Sequence, residues 1–264
     1  MKKRLLMPVE RKERILSMIY EKSSVTVTEL SLAFGVSEET IRRDLTELEK
    51  ENGITRVYGG AYLGNNVNQE LSYDMRRDAY RSEKSTIASA AIHMVHNGDT
   101  VFLGPSTTSL AIAQSLCNLK NITIITNALY IANAVADSQA ARIICVGGEL
   151  DKNYQTFNGC TALETLETYY ADKAFVSCTG VSMECGLTDS SENQARIRRL
   201  MLEHSKERIL IADHTKFGKI TLSSIAPFSM INRVICNRSL SDEWLRFFEE
   251  HHISFVNASE QNKG

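Results

Sequence analysis

The sequence contains no apolar run approaching the ~20 residues that a helix needs to cross a bilayer, so no transmembrane helix is expected. Its first ten residues, M-K-K-R-L-L-M-P-V-E, start basic but hold no apolar stretch long enough for a signal peptide. The six cysteines (Cys117, Cys145, Cys160, Cys178, Cys185 and Cys236) include no C-x-x-C pair. Most sit in apolar or Gly-rich surroundings, which fits reduced thiols in a cytosolic protein rather than disulfides or zinc ligands. His251 and His252 have no companion pair at ligand spacing, so neither a metal nor a cofactor is expected. Nothing repeats at a fixed period. An excess of positive charge is also absent, since the net charge is −2. Residues 1–61 hold eleven Lys plus Arg against ten Asp plus Glu. Nucleic-acid binding would therefore rest on a local patch of Arg42, Arg43, Arg56 and the Lys2-Lys3-Arg4 arm, not on bulk charge.

What is present is a soluble-type composition, 43% hydrophobic and 23% charged, over 264 residues, enough for one or two domains with a sizeable core. The stretch Ser37 to Glu51 reads as a helix. Ser37 follows Phe34-Gly35-Val36, a turn signal, and is a good N-cap. Glu38 and Glu39 suit the first turn. Thr40 stands where a capping box would want Glu or Gln. Ile41, Leu45 and Leu48 form one apolar stripe, and Asn52-Gly53 ends the helix. Thr40, Arg42 and Arg43 lie off the stripe near the end that enters the major groove in a helix-turn-helix. Two further helices precede it. Val9 to Tyr20 has Ile15, Met18 and Ile19 inward, and Thr28 to Phe34 has Leu30, Ala33 and Phe34 apolar. Ile54 to Tyr62 is β-prone with a Gly-Gly turn and reads as a wing. Taken alone, Ser37 to Glu51 reads rather as an ordinary amphipathic surface helix with two solvated arginines; its neighbours turn the reading to a winged helix-turn-helix.

Arg11, Ile15, Ile19, Ser37, Thr40, Ile41, Arg42, Arg43, Asp44 and Leu45, with the wing Arg56-Val57-Tyr58-Gly59-Gly60-Ala61, resemble the N-terminal signature of the DeoR family of bacterial transcription regulators. The resemblance implies a sequence-specific DNA-binding regulator. Its DNA-binding residues would be Ser37, Thr40, Arg42, Arg43, Arg56 and Tyr58.

Beyond the wing, residues 63–81 read as a linker. Ser72 to Arg81 is expected to be helical, either a solvated connector or a hinge. From Ser82 helices and strands alternate, which predicts a largely parallel, Rossmann-like α/β sheet over 82–264, beside a winged helix over 1–62. In such sheets ligands bind beyond the carboxyl ends of the strands. Those ends carry Gly104-Pro105-Ser106-Thr107-Thr108-Ser109, Thr126-Asn127, Gly147-Gly148-Glu149, Thr179-Gly180, Gly186-Leu187-Thr188 and Asp213-His214-Thr215-Lys216. Singly these are ordinary loops; together they suit a small anionic polyol.

This half also resembles the DeoR sensor domain, whose fold is similar to ribose-5-phosphate isomerase and glucosamine-6-phosphate deaminase. That resemblance implies a phosphorylated sugar effector bound by Ser106, Thr107, Thr108, Thr126, Asn127, Gly147, Gly148, Gly180, Asp213 and Lys216. One departure stands out: the family loop reads Asp, any residue, Gly, then hydroxyls, whereas here Gly104 and Ser106 replace the Asp and the Gly. The expected function is a repressor of a sugar-metabolism operon, acting on double-stranded operator DNA as a homo-oligomer, a dimer or tetramer. A sugar-phosphate isomerase or deaminase with a DNA-binding arm is the alternative. Against it, no pair of titrating groups is evident beside the phosphate loop. A winged helix used only for protein contacts is a third class.

Overall fold

The computed structural model describes residues 7–22, 24–51, 54–57, 59–63, 81–139, 141–152 and 154–261. Tyr58, the Lys2-Lys3-Arg4 arm, and the linker from 64 to 80 with most of its expected helix lie outside the described residues. The chain divides into two compact units, Met1–Tyr80 and Arg81–Gly264.

The first unit contains α1 (Pro8–Lys22), β1 (Ser24–Thr26), α2 (Val27–Phe34), α3 (Glu38–Glu51), β2 (Ile54–Val57) and β3 (Gly60–Leu63). Each end has a local cause. Pro8 opens α1 in a turn where a missing N–H costs little. The Thr26 hydroxyl accepts from Glu29 N at 3.1 Å and caps α2. Gly35, at φ 66°, ends α2 in the left-handed region. The Ser37 hydroxyl accepts from Thr40 N at 3.3 Å, and the two hydroxyls lie 2.9 Å apart. Thr40 thus meets the cap through its hydroxyl and does not make the reciprocal bond of a capping box.

The core of this unit is Ile15, Leu16, Ile19, Leu30, Ile41, Leu45, Leu48 and Ile54. Burying each such side chain contributes on the order of 1.5–3 kcal/mol. The expected stripe of α3 is therefore the observed one. Two expectations need correction. Met18 is only partly buried and Leu16 takes its place on the inner face of α1. Ala33 is exposed, because α2 is short and presents only its Leu30 side to the core. The wing forms as expected, with Arg56 opposite Ala61. It gains a third strand, since β1 pairs with β3, Val25 opposite Ala61. Three residues are too few to show an alternation in sequence.

One charge pair lies inside this unit. Arg11 on α1 meets Asp44 on α3 through Nε at 2.6 Å and Nη2 at 3.1 Å, with both side chains almost inaccessible. The hydrogen bond from Asp44 raises the Arg11 pKa, against the opposing effect of burial. The pair joins α3 to α1.

The second unit contains α4 (Arg81–Ile92), β4 (Thr100–Leu103), α5 (Thr107–Leu116), β5 (Ile122–Thr126), α6 (Leu129–Val135), β6 (Ala141–Cys145), β7 (Glu149–Asp151), β8 (Thr156–Asn158), α7 (Cys160–Glu167) and β9 (Ala171–Val176). It continues with β10 (Gly180–Ser182), β11 (Gly186–Asp189), α8 (Glu192–Glu203), β12 (Ser205–Ala212), β13 (Ser223–Ala226), β14 (Arg233–Cys236), α9 (Asp242–Glu250), β15 (Ser254–Asn257) and α10 (Ala258–Gln261). The main sheet has seven strands in the order β15-β14-β12-β9-β4-β5-β6, and every pairing is parallel. Its central strands are buried apolar runs, as a sheet covered on both faces requires. All seven carboxyl ends therefore share one edge.

Two small sheets were not expected. β7 and β8 form a hairpin, and β10, β11 and β13 form an antiparallel sheet. The Gly186-Leu187-Thr188 segment, read as a loop, is strand β11 and is buried throughout. A strand of four fully buried residues carries no alternating pattern, which is why it reads as a loop.

Asp44→Ala leaves a guanidinium buried without its carboxylate. The first unit is expected to lose about 3–5 kcal/mol of stability, read by urea unfolding followed by circular dichroism. Replacing Arg11 and Asp44 together by apolar residues of similar size recovers most of the loss. A loss below ~1 kcal/mol for the single variant would show that the pair does not hold α3.

Candidate DNA-reading surface and effector site

On the first unit, the basic residues at the start of α3 differ in what they already touch. Arg42 is held by Glu38 at 2.6 Å and approaches Glu39 at 3.6 Å. Arg56 on β2 bonds the Thr46 hydroxyl and approaches Glu49 at 3.6 Å. Arg43 is exposed and makes no hydrogen bond or ion pair among the described residues. Ser37 and Thr40 are turned toward one another in the cap. Arg43 is thus the cation most ready for an outside anion, while Arg42 and Arg56 must exchange a carboxylate for it.

On the second unit, the loop after β4 leads into α5. Ser106 caps this helix, accepting from Ser109 N at 2.9 Å and partnering the Ser109 hydroxyl at 2.8 Å. The N–H groups of Thr107 and Thr108 fall in the first turn, where no intrahelical acceptor exists. Thr108 is buried and Thr107 half-buried. An oxyanion placed at this end would meet free N–H groups and the positive end of the helix dipole.

Beneath the loop lies a residue that the sequence reading did not select. Arg198 on α8 is 4% exposed. Its Nη2 donates to Pro105 O at 2.7 Å, and its Nη1 pairs with Asp189 at the end of β11. The signal was present: Gln194 and Arg198 stand four residues apart on the same side of α8 as Ile197 and Met201, all buried. Polar residues on an apolar stripe mark a buried polar network.

Across β9, the end of β12 supplies Asp213 and Lys216. Asp213 accepts from Thr215 N at 2.9 Å and from the Thr215 hydroxyl. Burial disfavours its charged form, but the Lys216 charge and the Thr215 bonds outweigh this and hold its pKa below the usual value. Lys219, further along the loop, is pushed down by burial and by the neighbouring Lys216 charge. Just beyond β9, buried Cys178 feels several of these groups. Burial drives its pKa to about 12, Lys216 and Arg198 pull against that, and Asp189 and Asp213 add to it. The Ser106 loop, Arg198, Asp213 and Lys216 therefore gather around the ends of β4, β9 and β12.

The remaining selected residues are occupied differently. The Thr126 hydroxyl donates to Leu103 O at 2.8 Å and accepts from Ala128 N at 3.1 Å, which leaves it committed to the sheet. Asn127 donates to Phe157 O at 3.0 Å. Gly147 and Gly148 follow β6, four strands from β12, roughly 19 Å away at ~4.8 Å per strand. One small ligand cannot touch both ends of that row. Gly148 has φ 129°, and a Cβ there would meet Asn158 O at 2.4 Å, so this glycine serves the approach of the β7–β8 hairpin. A Cβ on Gly180 would lie 2.6 Å from Lys219 O, so that glycine lets the 217–222 segment cross β10.

A two-part architecture with a winged helix and a parallel α/β unit is what the family models match. The model of the DeoR-like helix-turn-helix domain matches residues 11–66, and that of the DeoR C-terminal sensor domain matches residues 80–238. The chain belongs to the DeoR family. As a DeoR-family protein it is a DNA-binding transcriptional regulator with a sensor domain. Among its relatives is the uncharacterized HTH-type transcriptional regulator YulB of Bacillus subtilis, 35% identical, covering 94% of this chain and 96% of that protein. The HTH-type transcriptional repressor GlcR of the same organism is 32% identical, covering 97% and 98%. The glycerol-3-phosphate regulon repressor of Escherichia coli is 30% identical, covering 92% and 96%. Among solved structures, ribose 5-phosphate isomerase A of Methanocaldococcus jannaschii is similar over 53% of this chain and 55% of that one, at 15% identity and a TM-score of 0.39. Among the described residues no helix of this DeoR-family chain is long and apolar enough to cross a membrane, and no group of metal-ligating side chains is found.

The depressed pKa of Asp213 has a consequence for stability. A carboxylate whose folded pKa is lowered stabilises the fold above its unfolded pKa, near 4. That contribution is lost as pH falls through the folded value. Asp213→Asn keeps the acceptor oxygen but removes the charge. The stability gap between wild type and Asp213→Asn, measured by denaturant unfolding, should be full at pH 6 and shrink below pH ~4. A gap that is constant or grows toward acid would contradict the assignment.

Proposed function

We propose that the protein represses a sugar-metabolism operon and that a phosphorylated sugar or related metabolite, bound in the sensor domain, controls its hold on operator DNA. The observation that carries this reading is the phosphate loop. The N-terminus of α5 presents free N–H groups directly above a guanidinium that is buried and fastened to Pro105 O. Ser106, Thr107, Thr108, Asp213 and Lys216 form the effector site. Asn127 borders it, and Thr126, Gly147, Gly148 and Gly180 shape the loops around it. The name of the glycerol-3-phosphate regulon repressor points the same way, toward a phosphorylated polyol. Residues 1–62 read DNA, 63–81 link, and 82–264 sense.

At the DNA, Ser37, Thr40, Arg42, Arg43, Arg56 and Tyr58 are the contact set, with Arg43 foremost. One winged helix covers too little DNA for useful specificity, so the protein acts as a homodimer or tetramer on repeated or palindromic half-sites. It works in the cytoplasm and is not an enzyme. General acid–base chemistry needs two positioned titrating groups. His214, the nearest candidate, is engaged by Asn237, whose Oδ1 accepts from His214 N at 2.9 Å and lies 3.3 Å from Nδ1.

A thermal-shift screen against phosphorylated and unphosphorylated sugars tests the effector. At ~100 times its dissociation constant, the effector stabilises the native state by ~2.7 kcal/mol. The expected hit is phosphorylated, and its unphosphorylated parent is silent; the reverse pattern refutes the phosphate assignment. For the DNA role, Arg43→Ala should weaken operator binding by ~1–3 kcal/mol in fluorescence anisotropy. The slope of log affinity against log salt should fall by ~1 if the contact is to phosphate. Unchanged affinity and slope would remove Arg43 from the interface.

A further inference from the structure

Three buried polar atoms of the sensor unit have no hydrogen-bond partner among the described residues: Asn127 Oδ1, Gln194 Oε1 and Arg198 Nε. Unpaired buried polar atoms are costly and uncommon in native folds. These three lie along one chain of contacts. Arg198 and Gln194 stand one turn apart on the same face of α8, about 6 Å along its axis. Arg198 reaches the phosphate loop at Pro105 O. Gln194 Nε2 donates to Thr156 Oγ1 at 2.7 Å and to Asn158 Oδ1 at 3.3 Å, both on β8. Asn158 Nδ2 returns to Thr156 Oγ1 at 3.2 Å, and Asn127 Nδ2 holds the carbonyl of Phe157 between them. One helix face therefore joins the phosphate loop to a cluster of amides under the β7–β8 hairpin. Asn158 also lines a cavity of about 240 Å³ together with Glu149, Asp151, Gly159 and Asn193.

The chemistry differs between the two ends. At the loop, the unpaired atom is a cationic donor. At the hairpin, the two unpaired atoms are acceptor oxygens, and the adjoining cavity carries two carboxylates. A phosphate at the hairpin end would face Glu149 and Asp151. Hydroxyl groups there would find acceptors. We propose that the effector lies with its phosphate at Thr107 and Thr108 and its polyol chain toward the hairpin. Its hydroxyls donate to Gln194 Oε1 and Asn127 Oδ1 and pair with Asn158. Gln194 and Asn158 are then the residues that choose the sugar. This orientation rests on the effector reading given above.

The test is calorimetric titration of the full chain with hexose 6-phosphates, pentose 5-phosphates, glycerol 3-phosphate and inorganic phosphate. The expected wild-type result is a sugar or polyol phosphate bound at least ~10-fold more tightly than inorganic phosphate. Gln194→Met, which keeps the length but removes the amide, and Asn158→Ala should each cut that advantage at least ~5-fold. Both should leave the affinity for inorganic phosphate unchanged. Thermal melting shows whether each variant folds, and Asn158→Ala decides the matter alone if Gln194→Met does not. An unchanged advantage in the folded variants overturns the orientation, as does an equal loss for the sugar phosphate and inorganic phosphate. Wild-type protein that binds no member of the panel overturns the effector reading itself.

Discussion

A single guanidinium held out of water constrains the sensor half of this protein. Removing such a charge from solvent costs several kcal/mol, and only a paired and hydrogen-bonded setting offsets that cost. Arg198 finds its setting between Asp189 and Pro105 O. Three segments thereby become interdependent: strand β11, helix α8 and the turn that opens α5. If the turn moves, the guanidinium loses an acceptor. If β11 moves, it loses its counter-charge. The loop that opens α5 is thus held by a buried residue remote from it in sequence. The electrostatic result is a cation beneath a helix N-terminus, two features that favour an anion at one place.

The DNA-binding half repeats this logic on a smaller scale. Among the described residues its apolar core is a dozen buried side chains, those of α3 among them. The bidentate Arg11–Asp44 pair supplies direction as well as attraction, since a planar fork accepts a carboxylate in few orientations. Each half therefore holds one buried arginine–carboxylate pair that joins a helix to another element: α1 to α3 in the first unit, α8 to β11 in the second. The exposed charges do something different. Arg42 and Arg56 are partnered with Glu38, Glu39 and Glu49 in the free protein, so approaching DNA must compete with those carboxylates. That competition fits a protein whose net charge is −2.

Much of this could be read from the sequence, and the failures have physical causes. The α3 stripe, its Ser37 cap and the wing were legible because helix periodicity and turn chemistry are local signals. The parallel sheet was legible because short strands rich in apolar residues alternate with helices along the chain. The sheet β10-β11-β13 was not, because strands of three or four buried residues have no period to detect. In the candidate site, the Ser106 cap was legible for the same local reason. Arg198, Asp189 and Gln194 were not selected, because their partners are 9 to 93 residues away. Thr126 shows the converse: its position at a strand end suggested a ligand contact, yet its hydroxyl is consumed by the neighbouring strand.

Control of operator binding by the sensor domain implies coupling between the two units, which a linkage titration reads. Operator affinity is measured by fluorescence anisotropy at rising concentrations of the sugar phosphate, and again with its unphosphorylated parent. Binding of effector to one state of the protein must shift the DNA dissociation constant to a plateau, because coupling is a finite free energy. A complete switch, from 1:99 to 99:1, needs ~5.5 kcal/mol of preference. The account predicts a saturable shift with the phosphorylated compound and none with the parent. A DNA affinity that stays constant while the sugar phosphate is shown to saturate its site would contradict it.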